Sequence, residues 1–191
     1  MSQQPEVKTN IAYSFVGPIQ YPATKNLRNA FCNAINTGVK TITLLMSSSG
    51  GSTEEGFALY HFLRSLPIEL TIHNIGIMAS IANIPFLAGS KRLACADTRF
   101  MIHDFTWSSL QQETLDRDHI KERLQSLDAD ASQFIEIFKR HTSLTDKDFE
   151  TFQLIKQPTI ILPNRAKEVR IIQEIADAKI TTGTPIFNIE Y

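Results

Sequence analysis

The chain has 191 residues, of which 42% are hydrophobic, so it is long enough for one domain with a sizeable core and too apolar for a disordered chain. Nineteen basic residues balance twenty acidic ones, which leaves no net field to attract nucleic acid or an anionic membrane. We therefore expect neither as a partner, whereas a near-neutral surface is compatible with self-association.

Two isolated cysteines and a polar N-terminus indicate the compartment. Cys32 and Cys95 lack the spacing of a metal site or a disulfide framework, and we expect two buried free thiols in a reducing environment. Residues 1–9 are polar, lack the apolar segment of a signal peptide and predict a flexible tail. The longest apolar stretch, residues 75–88, is short and interrupted by polar residues. The sequence predicts a soluble, cytoplasmic protein.

Strands and helices alternate in the first part of the chain. Residues 11–16 and 41–46 are apolar runs, and the second is typical of a parallel strand buried on both faces. Residues 24–37 have apolar side chains at helical spacing. A second helix begins at Ser52 or Thr53, with acidic residues in its first turn. This order predicts right-handed βαβ units.

A glycine turn and a serine follow consecutive strands. The turn, Ser-Ser-Ser-Gly-Gly-Ser at residues 47–52, is placed as a backbone anion-binding turn would be. Residues 69–75 predict a buried strand that turns at Gly76 and leads into a helix with Ser80 at its start. A serine there lies near unpaired N–H groups and the positive end of the helix dipole, which favours developing negative charge. Ser80 is a candidate nucleophile, although most serines in small-residue helices pack or cap.

The helix after Ser80 contains a proline. We expect this helix over residues 81–88. Pro85 lacks the N–H that would bond the carbonyl of Ile81, which predicts that the helix starts tightly or kinks.

Downstream, Phe100-Met101-Ile102-His103 ends a second apolar strand with a histidine. Asp104 is tempting as an acid to orient His103, but neighbours on an extended strand point to opposite sides, so we reject Asp104 as the third member of a triad. No pair of histidines has the His-x-x-x-His spacing of a metal site, and we expect no metal or cofactor. We interpret the remaining histidines as structural: His61, His73, His119 and His141.

A long helical segment follows. Residues 108–142 are charged and carry an apolar stripe at helical spacing. The stripe consists of Leu110, Leu115, Ile120, Leu124, Leu127, Ala131, Phe134, Ile135 and Phe138. A helix of this length projects from a compact domain and needs a partner for its stripe, unless it folds back on its own domain. Residues 143–149 predict a short helix, and residues 179–191 are unassigned.

Three motifs, in order and spacing, resemble the proteolytic subunit of the Clp protease: Gly50-Gly51-Ser52, Gly76-Ile77-Met78-Ala79-Ser80 and Arg99-Phe100-Met101-Ile102-His103. In that family they are a Ser-Pro-Gly-Gly turn, a Gly-x-Ala-Ala-Ser-Met nucleophile segment and a Met-Ile-His general base. The resemblance extends from about residue 11 to about residue 172. It implies the ClpP/crotonase-like α/β fold, with repeated ββα spiral units in a single domain spanning residues 1–191. Residues 108–142 would form the handle helix that interleaves two rings.

The resemblance also implies an activity and partners. Ser80 would be the nucleophile of a serine endopeptidase, His103 its base, and the N–H groups of Gly51 and Ile81 its oxyanion hole. The implied assembly is a heptameric ring or a double heptamer that acts on peptides or unfolded proteins. A Clp-type AAA+ ATPase is a candidate partner.

Three parts of the family pattern are altered. No aspartate occurs between Asp148 and Asp177, where the family has its triad acid. The family's glycine-rich strand before the handle is replaced by Phe105-Thr106-Trp107-Ser108-Ser109, and residues 1–9 are shorter than its N-terminal segment. The candidates that could supply the acid's hydrogen bond without its charge are Gln157, Thr159 and Asn164.

Three functions remain open from the sequence. The first is a slow serine peptidase, because loss of the acid costs about 10⁴-fold in well-studied proteases and leaves a residual rate. The second is a catalytically weak or inactive structural subunit of a ring. The third is a crotonase-like protein acting on acyl-CoA, against which Ser80 and the Met-Ile-His segment argue.

Overall fold

The computed structural model describes residues 10–106, 116–151 and 157–190. Its strands are β1 Asn10–Val16, β2 Thr41–Ser48, β3 Glu69–Ala79, β4 Lys91–Ala94, β5 Arg99–Ile102, β6 Thr159–Ile161, β7 Glu174–Ile175 and β8 Ile186–Asn188. Its helices are α1 Ala23–Asn36, α2 Thr53–Ser65, α3 Asn83–Leu87, α4 Arg117–His141, α5 Asp146–Thr151 and α6 Pro163–Glu168, with a 3₁₀ turn at Ser80–Ala82. The expected tail, residues 1–9, lies outside the described residues.

The strands form one mixed sheet with the order β6-β5-β3-β2-β1-β8. Neighbours are parallel except for β5 and β6, which are antiparallel. The long strand β3 is shared, because residues 71–74 pair with β4 and residues 77–79 pair with β5. The C-terminal segment, unassigned from the sequence, supplies β8 at the edge beside β1.

The strand before Ser80 is longer than predicted. The register of β2 against β3 shifts between Met46 and Ser48. The hydroxyl of Ser47 accepts a hydrogen bond from the N–H of Ile77 at 3.1 Å and so replaces a ladder bond at this irregularity. The expected turn at Gly76 is therefore wrong, and β3 continues to Ala79.

The core lies mainly on one face of the sheet. In β2, Ile42, Leu44 and Met46 are buried, whereas the alternate residues are only partly covered. The prediction that this strand is buried on both faces is thus wrong for the described structure. Helix α2 begins as predicted, with the Ser52 side chain accepting a hydrogen bond from the N–H of Glu55.

Helix α4 both packs and projects. Near its C-terminal end Phe134 and Phe138 are buried against the rings of Phe105 and Phe149. Near its beginning, Ile120 and Leu124 are 55% and 58% exposed. The described helix begins at Arg117, later than expected, and residues 107–115, with the predicted stripe positions Leu110 and Leu115, lie outside the described residues.

A buried arginine ties the end of α4 to the sheet. Arg92 on β4 is 5% exposed. Its guanidinium donates four hydrogen bonds of 2.8–3.1 Å to main-chain carbonyls: those of Gly89, His141, Arg170 and Ile171. Because burial disfavours the charged form, the pKa of Arg92 is lowered. The carbonyl dipoles therefore take the place of a carboxylate partner.

Both cysteines are free thiols, as expected, but their burial differs from the prediction. Helix α1 turns Leu27, Phe31 and Ala34 into the core, which leaves Cys32 on the exposed side. Cys95 is half-buried, with its Sγ 3.6 Å from Nε2 of His73. Across the described segments, none of the helices combines the length and the apolar character that crossing a membrane requires.

Candidate active site

Ser80 lies where β3 turns into the helical segment. It follows Ala79, the last residue of the strand, and opens the 3₁₀ turn that leads to α3. Its φ of 54° is in the left-handed region, which costs a non-glycine residue about 1–2 kcal/mol. The tight start expected from Pro85 is present as this 3₁₀ turn. The turn holds a half-buried serine at the carboxyl end of a central strand.

The glycine turn after β2 packs directly against Ser80. Gly50 has a φ of 97°, and a Cβ added to it would lie 2.7 Å from the Ser80 Cβ and 3.3 Å from the Ser80 Oγ. Only a glycine therefore allows the turn to approach the serine this closely.

The neighbouring Gly51 is held from the other side. Its φ is 150°, and an added Cβ would collide with the carbonyl oxygen of Ile19. The N–H of Ile19 donates to the carbonyl of Gly50 at 2.8 Å, and the N–H of Ser52 donates to the carbonyl of Ile19 at 2.8 Å. These bonds fix the backbone of the turn next to Ser80.

His103 follows the last residue of β5. Because β5 pairs in parallel with the end of β3, with Met101 opposite Ala79, Ser80 and His103 leave neighbouring strands at the same edge of the sheet. The motifs singled out in the sequence thus meet at one edge. His103 is half-buried.

The ring of His103 has a main-chain partner. Its Nδ1 lies 2.7 Å from the carbonyl oxygen of Asp104. A carbonyl can only accept, so Nδ1 carries a proton, and in the neutral ring this tautomer leaves the lone pair on Nε2. The Asp104 side chain instead accepts a hydrogen bond from the N–H of Phe105 at 2.9 Å. Asp104 was rejected from the sequence as the third triad member, and its carbonyl was missed because every residue carries one.

The three candidates for the missing acid are placed differently. Thr159 pairs with Ile102 across β5 and β6, which puts the start of β6 beside His103, but its hydroxyl donates to the carbonyl of Gln157 at 3.1 Å. Gln157 is exposed, two residues before Thr159. Asn164 is exposed on α6 and lines a cavity of about 390 Å³ together with Thr98, at the opposite end of β5 from His103. Asn164 is therefore too distant for this role.

Asn83, at the start of α3, was missed from the sequence. Its side chain is 1% exposed, and its Nδ2 donates to the carbonyls of Ser80 at 2.9 Å and Met101 at 3.0 Å. The signal that could have found it is a single amide within the apolar segment from Ile81 to Leu87.

The other histidines make local contacts. His73 is buried, with Nε2 3.0 Å from the carbonyl of Ala176, and burial lowers its pKa. His141 contacts the hydroxyl of Tyr60, and His119 pairs with Asp116. Within residues 10–106, 116–151 and 157–190, no three His, Cys, Asp or Glu side chains gather as metal ligands would.

The chain is similar to known proteins both in sequence and in fold. The family model described as Clp protease matches residues 20–179. The ATP-dependent Clp protease proteolytic subunit of Bdellovibrio bacteriovorus is 25% identical over 146 residues, which cover 73% of this chain and 66% of that protein. The ATP-dependent Clp protease proteolytic subunit 2 of Thermobifida fusca is 36% identical over 66 residues, 34% of this chain and 32% of that protein. The matches thus span two thirds or less of the length of these two relatives.

A solved structure has the same architecture. The chain of a ClpP1 mutant from Listeria monocytogenes superposes with a TM-score of 0.75 and 17% sequence identity, covering 90% of this chain and 92% of that one. At this identity the similarity establishes the fold alone. The ClpP-like α/β fold expected from the motifs is confirmed, and the family match extends over most of the chain. The chain belongs to the Clp protease family.

Proposed function

We propose that this chain is a serine peptidase that hydrolyses peptide bonds through an acyl-enzyme on Ser80. The observation that carries the proposal is the left-handed Ser80, held against the Gly50–Gly51 turn at the sheet edge where His103 also lies. A strained serine at such a junction has its hydroxyl turned away from the strand ladder. Family membership and the similarity to named Clp protease subunits support peptide-bond hydrolysis as the chemistry.

The first step is attack on the substrate carbonyl. The Ser80 Oγ bonds to the carbonyl carbon while its proton passes to Nε2 of His103. That proton then goes to the leaving amine nitrogen as the C–N bond breaks, which leaves an acyl ester on Ser80. Water, activated by the same nitrogen, hydrolyses the ester and regenerates the hydroxyl.

Two main-chain N–H groups are proposed to hold the oxyanion. Ile81 is the second residue of the 3₁₀ turn, where N–H groups have no partner within the helix. The Gly51 N–H belongs to the rigid turn that contacts Ser80. Donors fixed in advance are effective because they need no reorganisation when charge develops.

The Asp104 carbonyl is proposed to orient the base. It selects the tautomer with hydrogen on Nδ1, as a triad acid would, and this explains how a base operates without a carboxylate. A dipole stabilises the imidazolium less than a full negative charge does. We therefore expect a slow enzyme.

The test is reaction with a fluorophosphonate, followed by intact mass. Attack by the Ser80 Oγ on phosphorus expels fluoride, and the hydroxyl proton passes to His103. We expect one adduct on the parent protein and none on Ser80→Ala or His103→Ala. An assembled, folded parent that stays unmodified would contradict the peptidase and favour the inactive ring subunit.

Assembly is part of the proposal. We propose that the exposed stripe residues Ile120 and Leu124 pack against a second copy of the chain, so that α4 acts as a handle between rings. Peptides and unfolded segments are the proposed substrates, and a Clp-type AAA+ ATPase is a proposed partner, because the similar proteins are named as subunits of an ATP-dependent protease. Free thiols at Cys32 and Cys95 fit a cytoplasmic location.

A further inference from the structure

We propose that Asn83 is a positioning residue that fastens the strand carrying His103 to the turn carrying Ser80. Its effect on the reaction rests on the proposed peptidase function. The hydrogen bonds of Asn83 do not depend on that function, so the structural bridge and the peptidase activity can be tested separately.

The carboxamide bridges the two segments through one nitrogen. Nδ2 donates to the Ser80 carbonyl at 2.9 Å and to the Met101 carbonyl at 3.0 Å. The opposite orientation would aim Oδ1 at two carbonyl oxygens and is excluded by repulsion. Asn83 is therefore a double donor, and both acceptors are backbone atoms of the two motifs.

The position of the bridge matters because the strand ladder ends there. The register pairs of β3 and β5 run from Ile77–Arg99 to Ala79–Met101, and Ser80 and His103 lie beyond the last pair. The Asn83 bonds act on Ser80 itself and on the residue two before His103. They extend the connection between the strands to the point where the serine and the histidine leave them.

The other end of the side chain carries a cost in free energy. Oδ1 of Asn83 is buried and has no hydrogen-bond partner among the described residues. An unpaired buried oxygen costs free energy, which a leucine of similar size would avoid. The two bonds from Nδ2 are what an amide adds here.

The chain offers a matched control on the same pair of strands. Asn74 is also fully buried, and its Nδ2 donates to the carbonyl of Arg99 at 3.2 Å. It lies far from Ser80, and its Oδ1 accepts from the N–H of Gly76 at 3.0 Å. Asn74→Leu thus removes a buried amide between β3 and β5 without touching the site.

The experiment divides fluorophosphonate labelling into reversible binding and the maximal rate of modification. For Asn83→Leu we expect a maximal rate about 10- to 100-fold lower with unchanged binding, because displacement of a reacting group by about 1 Å costs on the order of 100-fold. Asn74→Leu should label like the parent, even if its urea midpoint falls further. An equal rate in both leucine variants would overturn the proposal.

A second variant supplies a pH signature. In Asn83→Asp only the protonated carboxyl can donate to a carbonyl, and burial raises the pKa of a carboxyl. The labelling rate relative to the parent should therefore fall as pH rises, and Asn83→Leu should show no such fall. A protonated carboxyl offers one O–H where the amide offers two N–H groups, so a pH-independent ratio would contradict the need for a hydrogen-bond donor at residue 83.

Amide hydrogen exchange decides the outcome even if the parent protein does not label. Peptides covering residues 101–106, which leave out the Arg99 contact of Asn74, should exchange faster in Asn83→Leu than in Asn74→Leu. If the parent protein does not label and exchange is still faster in Asn83→Leu, the result would support the bridge and reject the peptidase. Equal exchange in the two variants would reject the bridge.

Discussion

At the scale of single residues, the site depends on backbone positions that few side chains tolerate. Ser80 is left-handed, and the space opposite it is available only because residue 50 has no Cβ. The strain in the serine and the missing side chain in the glycine belong to one contact. A substitution that alters the Ser80 backbone and one that adds a Cβ at residue 50 should therefore displace the same Ser80 hydroxyl.

Gly50→Ala tests this contact. The added methyl would lie 2.7 Å from the Ser80 Cβ and 2.9 Å from the Ala79 carbonyl oxygen, both closer than contact distance. We expect fluorophosphonate labelling to slow by about 100-fold, because the serine must move. The free energy of unfolding should fall by about 2–3 kcal/mol, from left-handed strain and the forced shift together.

Gly183→Ala is the matched control for that prediction. Gly183 also has a positive φ, 88°, but nothing lies within 4 Å of an added Cβ. It should lose about 1–2 kcal/mol from the same backbone strain and label normally. Similar labelling of the two variants would show that Gly50 acts through backbone strain and not through contact with Ser80.

At the scale of elements, the end of α4 is joined to α2 and β4 by a neutral histidine. Nε2 of His141 lies 2.7 Å from the hydroxyl of Tyr60, and Arg92 donates to the His141 carbonyl. Burial, followed by the charges of Arg92, Arg64 and Arg140, lowers the pKa of His141 from 6.5 to about 4. The junction is therefore built for the uncharged ring.

The stability of the protein should consequently fall in mild acid. The unfolded chain takes up a proton at His141 below about pH 6.5, whereas the folded chain takes it up only near pH 4. The stabilisation that the neutral His141 ring gives is fully present at pH values above its pKa of about 6.5 in the unfolded chain. It is lost as pH falls toward about 4. Between about pH 7.5 and about pH 5, we expect on the order of 1 kcal/mol less free energy of unfolding, measured in urea, because solvent screens part of the effect at this half-buried ring.

His141→Gln isolates this effect. Glutamine offers Tyr60 an acceptor and does not titrate over this range. The variant should have a flatter pH dependence than the parent, with the remaining slope including His73, whose pKa is also lowered. Parallel pH curves for the two proteins would contradict the assignment.

The elements also show how far the sequence alone could lead. The βαβ order and the positions of the glycine turn, Ser80 and His103 followed from local patterns, because apolar periodicity and turn residues report local structure. The residue at which β3 ends did not follow from local patterns. It depends on a register shift in β2 that lets Ser47 bond to Ile77, and such a shift becomes visible only when both strands are paired.

The parts of the site that were missed share a physical cause. The Asp104 carbonyl has no signature in a sequence, and Asn83 acquires meaning only from carbonyls that lie 3 and 18 residues away. The exposure of Cys32 depends on one step of rotation around α1. Long-range partners and rotational position are set by packing, which local patterns do not encode.

At the scale of the whole molecule, the exposed stripe on α4 predicts assembly. We expect the parent protein to sediment as a ring-sized oligomer at micromolar concentration, since Ile120 and Leu124 form adjacent apolar positions at i and i+4. The double variant Ile120→Ser, Leu124→Ser should shift the profile toward smaller species. Gln125→Ser, an exposed polar change on the same turn, should not.

The sedimentation profile distinguishes two failures. A monomeric parent would reject assembly through α4 altogether. If the parent is oligomeric and the double serine variant sediments identically, the oligomer exists but its contacts lie outside Ile120 and Leu124. Labelling of the same samples shows whether Ser80 reacts only in the assembled form.

The topology of the sheet also has a consequence for synthesis on the ribosome. Every group proposed to act on the substrate lies before residue 105, so β1, β2, β3 and β5 can pair while α4 is still being made. The outer edge of β5 waits for β6, whose Ile161 pairs with Phe100 only after the intervening helices have left the ribosome. During that interval an open strand edge lies next to Ser80, the proposed nucleophile, and such an edge can pair with other chains. A nascent chain stalled within α4 would expose Ser80 and an unpaired strand together.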